Sequence, residues 1–211
     1  MNKTKKKIIL TAIEMFNKQG LANARNSDIA KEAGISLSNF NYHFHTKKDL
    51  VLAVITYLRE VLNEEVYGQN TLLTKDGQGL EIGKSYFEFE ERFKFFYLNT
   101  HNILESYPEL KDQLRKQIDE AIQIIKNLNF LAVGKGFMIA PPVDFPGLYD
   151  SLARQIWINN HFWFSQANIT GMEGDIVKKG LEANYAICYP YLTEKGKVMW
   201  QNFLASIEEQ S

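Results

Sequence analysis

The sequence predicts an all-α protein built in two parts, an N-terminal three-helix head and a larger C-terminal helical body. Three observations carry this reading. Apolar residues recur at spacings of three and four through one segment after another, which lines one face of a helix. Those segments are bracketed by helix start and stop chemistry, with Ser36 and Thr46 placed as N-caps and Gly20, Gly34 and Pro190 as terminators. Charge then separates the parts: residues 1–50 hold nine Lys or Arg against four Asp or Glu, and the rest of the chain holds 15 against 21. A basic head on an acidic body suits a polyanionic partner for the head.

The first helix is read over 3–18, where Ile9, Ala12, Ile13 and Phe16 share a face, and Gly20 stops it. A short second helix over 26–33 carries Ile29, Ala30 and Ala33 on one side, and Gly34 permits a left-handed turn after it. Ser36 caps a third helix over 37–44. Thr46-Lys47-Lys48-Asp49 opens a fourth, over 47–67, with the pattern of a capping box. Two short helices joined by a tight turn containing Gly form a helix-turn-helix. In the third helix Phe40 and Phe44, four apart, point to the core, so Ser38, Asn39, Asn41, Tyr42 and His43 spread over the outer faces. Such side chains reach base edges and phosphates in a DNA groove.

Residues 68–80 read as a Gly-containing linker, and an unusually aromatic helix follows over 81–104. Seven of the twelve residues from Tyr86 to Tyr97 are aromatic, more than one helix face buries against aliphatic neighbours. Pro108 begins another element, continuing as helix over 110–131, and a loop holds Gly134, Gly136, Pro141, Pro142 and Pro146. Two long helices are expected over 147–168 and 173–189, with Gly171 and Gly174 between them. After Pro190, Thr193 caps a last helix reaching 208.

Ile29-Ala30-Lys31-Glu32-Ala33-Gly34-Ile35-Ser36, then Phe40-Asn41-Tyr42-His43-Phe44 and Lys47-Lys48-Asp49-Leu50, resembles the DNA-binding domain of TetR-family repressors. Ile9, Ala12, Phe16 and Gly20 match that family's first helix, so the resemblance covers residues 4–55. It implies a homodimer with a helix-turn-helix head at 1–50, a connecting helix at 47–67, and an effector-binding and dimerisation body at 51–211. It further implies a repressor bound to an inverted-repeat DNA operator and released by a small ligand. The two third helices would enter successive major grooves about 34–36 Å apart. The DNA-binding residues expected on this ground are Arg25, Ser36, Leu37, Ser38, Asn39, Asn41, Tyr42, His43 and Lys47. The chain departs from the family pattern at Ser38, where many members carry Gly, and at Asn41, where an aromatic is common. Ala24-Arg25 replaces the usual Thr pair at the second helix, so Arg25 stands in for a threonine's phosphate contact.

For the body, the resemblance implies a pocket. Phe93, Phe96, Tyr97, Trp157, His161 and Phe164 are its expected lining, because aromatics leave rigid gaps and the histidine-bearing helices offer hydrogen bonds. No cluster of Arg or Lys accompanies them, so the expected ligand is hydrophobic with one polar end and not a sugar phosphate. The apolar helices at 147–168 and 173–189 are the expected dimer interface. Two other readings remain open: a DNA-binding dimer whose body recruits a protein partner and binds no ligand, and an enzyme carrying a borrowed head.

The enzyme reading lacks motifs, with no Gly-x-Ser-x-Gly, phosphate-binding loop or His-Glu-x-x-His, so no catalytic residue and no cofactor are expected. His43 and His45 point to different sides of their helix and lack ligand-spaced partners, so no metal is expected. Cys188 is the single cysteine and cannot form an intrachain disulfide, which suits a reducing cytoplasm. No apolar run approaches the length of a membrane span, and Glu14 interrupts the first apolar stretch too early for a signal peptide.

Overall fold

A computed structural model describes residues 2–68 and 76–208 of the chain. In the head, α1 (Lys3–Gln19), α2 (Asn26–Glu32) and α3 (Leu37–His43) precede α4 (Lys47–Val61), whose last turn widens into a π-helix, Leu62–Tyr67. The body contains α5 (Gln78–Arg92), α6 (Lys94–Tyr97), α7 (Thr100–Ser106), α8 (Lys111–Gly134), α9 (Leu148–Thr170), α10 (Ile176–Cys188) and α11 (Glu194–Glu208). Short 3-10 turns precede α8 and α11. Among the described residues no β-strand occurs, only a single antiparallel bridge between Met138 and Leu192. Of the linker expected over 68–80, residues 69–75 lie outside the described residues.

The head is held together by local chemistry that its sequence spells out. Asn2 caps α1, Ser36 caps α3 by accepting from the Asn39 backbone N–H, and Thr46 and Asp49 complete the capping box on α4. Helix α2 ends in a Schellman motif: Ile35 N–H donates to the Ala30 carbonyl and Gly34 N–H to Lys31, both at 3.0 Å. That geometry requires the left-handed conformation Gly34 adopts, with φ of 65°. Phe40 and Phe44 are fully buried, so α3 is pinned on one side and its polar side is free.

The aromatic stretch is not the single helix expected over 81–104. It breaks at Phe93 and again at Asn99, giving α5, α6 and α7. Each break turns the next segment, so rings that one face could not bury meet different neighbours: Phe87 meets Trp163, Phe95 meets Phe16 and Tyr97 meets His161. The first break exposes backbone groups that a continuous helix would satisfy. Asn17 of α1 satisfies two of them, donating to the Arg92 carbonyl and accepting from the Phe95 N–H, each at 2.9 Å. One apolar core therefore runs from α1 through α4 into α5 and α6, crossing residue 50 without interruption. Lys48 adds an exposed ion pair to Glu109 at 2.6 Å.

Candidate functional site

The polar side of α3 forms an open surface. Arg25, Ser36, Leu37, Ser38, Asn39, Asn41 and Tyr42 are all exposed, and His43 is half-buried beside the Tyr42 ring. Tyr42 is 78% exposed on a helix of seven residues. Lys47 differs from the rest of the expected set. Its ammonium donates to the Ala24 carbonyl and lies 4.6 Å from the centre of the Phe16 ring, and burial lowers its pKa. It ties α4 to α1 and α2 as well as standing near the α4 N-terminus. The structure thus brings eight of the nine residues onto the α2–α3 side and gives the ninth an intramolecular partner.

The body holds two adjoining cavities. The larger, of about 150 Å³, lies among α5, α8, α9, α10 and α11 and is mostly apolar, with Leu80, Leu128, Ala132, Met138, Leu181 and Trp200 in its walls. Its polar lining includes Asn160 and Asn184, joined by a 2.7 Å hydrogen bond, and Asn129, whose buried Nδ2 has no partner among the described residues. The smaller, of about 30 Å³, lies among α4, α5, α6, α8 and α9. Tyr67, Tyr86, Ala121 and Trp157 belong to both walls.

Of the six residues expected to line a pocket, Trp157 lines both cavities, and Phe96, Tyr97 and His161 line the smaller. Phe93 and Phe164 line neither. Phe93 sits at the α5–α6 break, 4.7 Å from the Phe89 ring centre and covered by Arg92, while Phe164 packs with Phe87, Trp163 and Leu181. His161 stacks on Trp157 with ring centres 4.8 Å apart, and burial lowers its pKa to about 4. The neutral imidazole is therefore its resting form.

Most of the larger cavity escaped the sequence reading. Gly79 and Gly83 one turn apart on α5, and Ala121 and Ala132 on α8, are the signal that could have found it: small residues on a buried face leave room. The same holds for Glu90. With Tyr86, Phe93 and Tyr97 it follows a 4–3–4 spacing, which puts a carboxylate on an apolar stripe, and the structure buries it completely.

An exposed helix-turn-helix surface joined through one core to a cavity-bearing helical body is the arrangement of a DNA-binding regulator. Residues 8–54 match the model described as bacterial regulatory proteins, tetR family, and residues 80–198 match TetR, bacterial transcriptional repressor. The chain belongs to the TetR family of transcriptional regulators. It is 29% identical over 144 residues to the uncharacterized HTH-type transcriptional regulator YerO of Bacillus subtilis (strain 168), covering 64% of this chain. That match spans about half of the relative's length, 49%. A TetR-family regulator from Marinobacter aquaeolei VT8 superposes with a TM-score of 0.84 at 20% identity, covering 97% of this chain and 98% of that one. A transcriptional regulator from Saccharomonospora viridis in complex with choline gives 0.70 at 19% identity, covering 92% and 100%. Among the described residues no helix is long and apolar enough to cross a membrane, and no three His, Cys, Asp or Glu side chains gather as a metal ion would require.

Proposed function

We propose that this regulator is a repressor that binds an inverted-repeat operator as a homodimer and leaves it when a small, mostly apolar ligand enters the body. The observation that carries the reading is the continuity of one core from the exposed α3 surface, through α1 and α6, to the wall of the smaller cavity. The head is taken as residues 1–50, with the helix over 47–67 connecting it to a body at 51–211. A ligand shifts the DNA-competent population only if it binds one arrangement of the body more tightly than the other. The Saccharomonospora viridis relative accommodates choline in the same fold, which supports a small-molecule effector here. Ile158, Phe162 and Ile169 recur four and seven apart along one exposed stripe of α9, which supports a second copy docking through α9 and α10.

In DNA recognition, Asn39 and Asn41 read base edges, and Arg25, Tyr42 and the α4 N-terminus beside Lys47 position phosphates. The test begins with operator DNA enriched from a random pool by the full chain. Asn41→Ala is expected to relax sequence preference by about 1–3 kcal/mol at one position. Arg25→Ala is expected to weaken all sequences alike and to reduce the salt slope by about 0.9. Trp157→Ala, at the wall shared by both cavities, should abolish ligand-driven release while leaving operator affinity in place. If Asn41→Ala and Arg25→Ala weaken every sequence equally, the assignment of base and phosphate roles is wrong.

A further inference from the structure

The smaller cavity sets six rings against aliphatic side chains of α4 and α8, and a buried acid lies outside its wall, next to the tyrosines. Tyr67 enters from the π-helical end of α4, Tyr86 from α5, Phe96 and Tyr97 from α6, and Trp157 and His161 from α9. Behind the tyrosines stands Glu90, one turn along α5 from Tyr86 and completely inaccessible to solvent. Neither of its carboxyl oxygens has a hydrogen-bond partner among the described residues. Of the cations near it in sequence, Arg92 holds Glu65 at 2.8 Å, Lys84 faces Glu88 at 3.7 Å and Lys94 is exposed, while Glu90 is not. Burial raises the Glu90 pKa well above the ordinary carboxyl value, offset only in part by the Tyr86 hydroxyl, which does not reach a well-formed hydrogen bond. An apolar side chain would fill this place without that penalty, so a buried unpaired acid needs a reason beyond packing.

We infer that Glu90 and the hydroxyls of Tyr67, Tyr86 and Tyr97 receive the ammonium head of an aliphatic amine, whose tail runs past Tyr86 and Trp157 into the larger cavity. The inference rests on the effector-cavity reading above and names the ligand class for it. Size supports it. A cavity of about 30 Å³ takes a group of one or two water volumes. An ammonium group is of that size, whereas a sugar or a phosphate is not.

Chemistry supports it as well. An ammonium has three N–H donors and no acceptor. The hydroxyl oxygens accept those protons, and Tyr86, whose hydroxyl also meets Tyr97, donates in turn to an ionised Glu90, so each bond polarises the next. Phe96 and Trp157 line the same wall, and aromatic rings attract cations. Gln117, on the same wall, leaves its buried Nε2 without a hydrogen-bond partner among the described residues.

Binding should displace the Glu90 proton. The other titratable groups facing this acid or its tyrosines hold one charge state near neutral pH. Burial keeps Tyr67, Tyr86 and Tyr97 neutral by raising their pKa values, and it keeps His161 neutral by lowering its pKa to about 4. Glu120 on α8 acts on Tyr67 and lies exposed. The entering amine brings its charge with it, so about one proton leaves per molecule bound.

Isothermal titration calorimetry of the full chain with octylamine and octan-1-ol, which share a tail and differ in charge, tests this. Wild type is expected to bind both. Glu90→Gln is expected to weaken octylamine by about tenfold or more, with octan-1-ol changed little. The octylamine enthalpy should vary with the ionisation enthalpy of the buffer, and that dependence should vanish in Glu90→Gln. Tyr97→Phe keeps the ring, removes one acceptor, and should weaken the amine more than the alcohol, giving a readout should Glu90→Gln fold poorly. If wild type binds the alcohol and not the amine, or if Glu90→Gln affects both alike or neither, the inference is overturned and the cavity reading stands. If wild type binds neither probe, both fall.

Discussion

Head and body are built from the same kind of helix, yet they place their chemistry on opposite sides of the surface. In the head, α1 to α4 bury an almost wholly apolar core and turn amides, hydroxyls and cations outward. In the body, buried polar groups accumulate: Glu90, Asn129, Asn160, His161 and Asn184 are all enclosed, against Thr11 alone in the head. Among the described residues, both cavities are walled by residues from Leu58 onward. The contrast separates two kinds of recognition. An outward surface changes its target with little effect on folding. An inward site is tied to stability, because every polar group it encloses must be satisfied by the protein or by what enters.

Three measurements break or sharpen that contrast. The largest effect is expected at Phe16, fully buried in α1 with its ring centre 5.3 Å from that of Phe95 in α6. Phe16→Ala should cost about 3–5 kcal/mol, and head and body should unfold in one transition because they share a core. Two separated transitions, followed by probes in each part, would show that the parts stand apart.

The next effect is a pH response confined to the body. The folded pKa of His161, about 4, lies below its unfolded value, so the unfolded chain binds more protons as pH falls. Its contribution to stability is complete above about pH 6.5 and falls by roughly 3 kcal/mol towards pH 4. Glu90 acts in the other direction. Its folded pKa is raised, so its contribution is fullest below the ordinary carboxyl value and declines as pH rises towards the folded pKa. Thermal unfolding from pH 4 to 9 should show the acid arm flattened in His161→Gln and the alkaline arm flattened in Glu90→Gln. Unchanged profiles would remove both groups from the account.

The smallest stability change is expected on the head. Tyr42→Ala, at a side chain 78% exposed, should alter stability by less than about 0.5 kcal/mol while weakening operator binding. A large loss of stability there would mean that the α3 surface is not free.

The head was legible because its information is local. A glycine at the Schellman position, caps at Ser36 and Thr46, and two phenylalanines four apart each determine geometry within a few residues. The body was legible only as a set of helices. Its aromatic run suggested one long helix, but the first segment ends early at Phe93, where Asn17, 75 residues away from Arg92, supplies hydrogen bonds that a broken helix needs. No periodicity contains that partner. The wall of the larger cavity was likewise hidden, since it is assembled from five helices whose relative placement decides which small residues leave a space. Trp157 and His161 were readable as a mixed stripe, whereas Phe93 and Phe164 carried the same signal and became core. Only the packing neighbours tell them apart.

On the proposed release mechanism, the Asn17 side chain also sets a scale for coupling between the two halves. Its amide makes two uncharged hydrogen bonds to the main chain, each contributing about 0.5–1.5 kcal/mol. Together they fall within the roughly 1–3 kcal/mol typical of coupling between a ligand site and a distant one, equivalent to a 5- to 150-fold change in affinity. A joint of that strength works like a fuse with a modest rating. It adds to the apolar packing that holds α1 against α6, and a ligand parts the two only by preferring the parted arrangement by more than joint and packing together contribute. A charged clamp at the same place would have held the two halves more firmly in one arrangement.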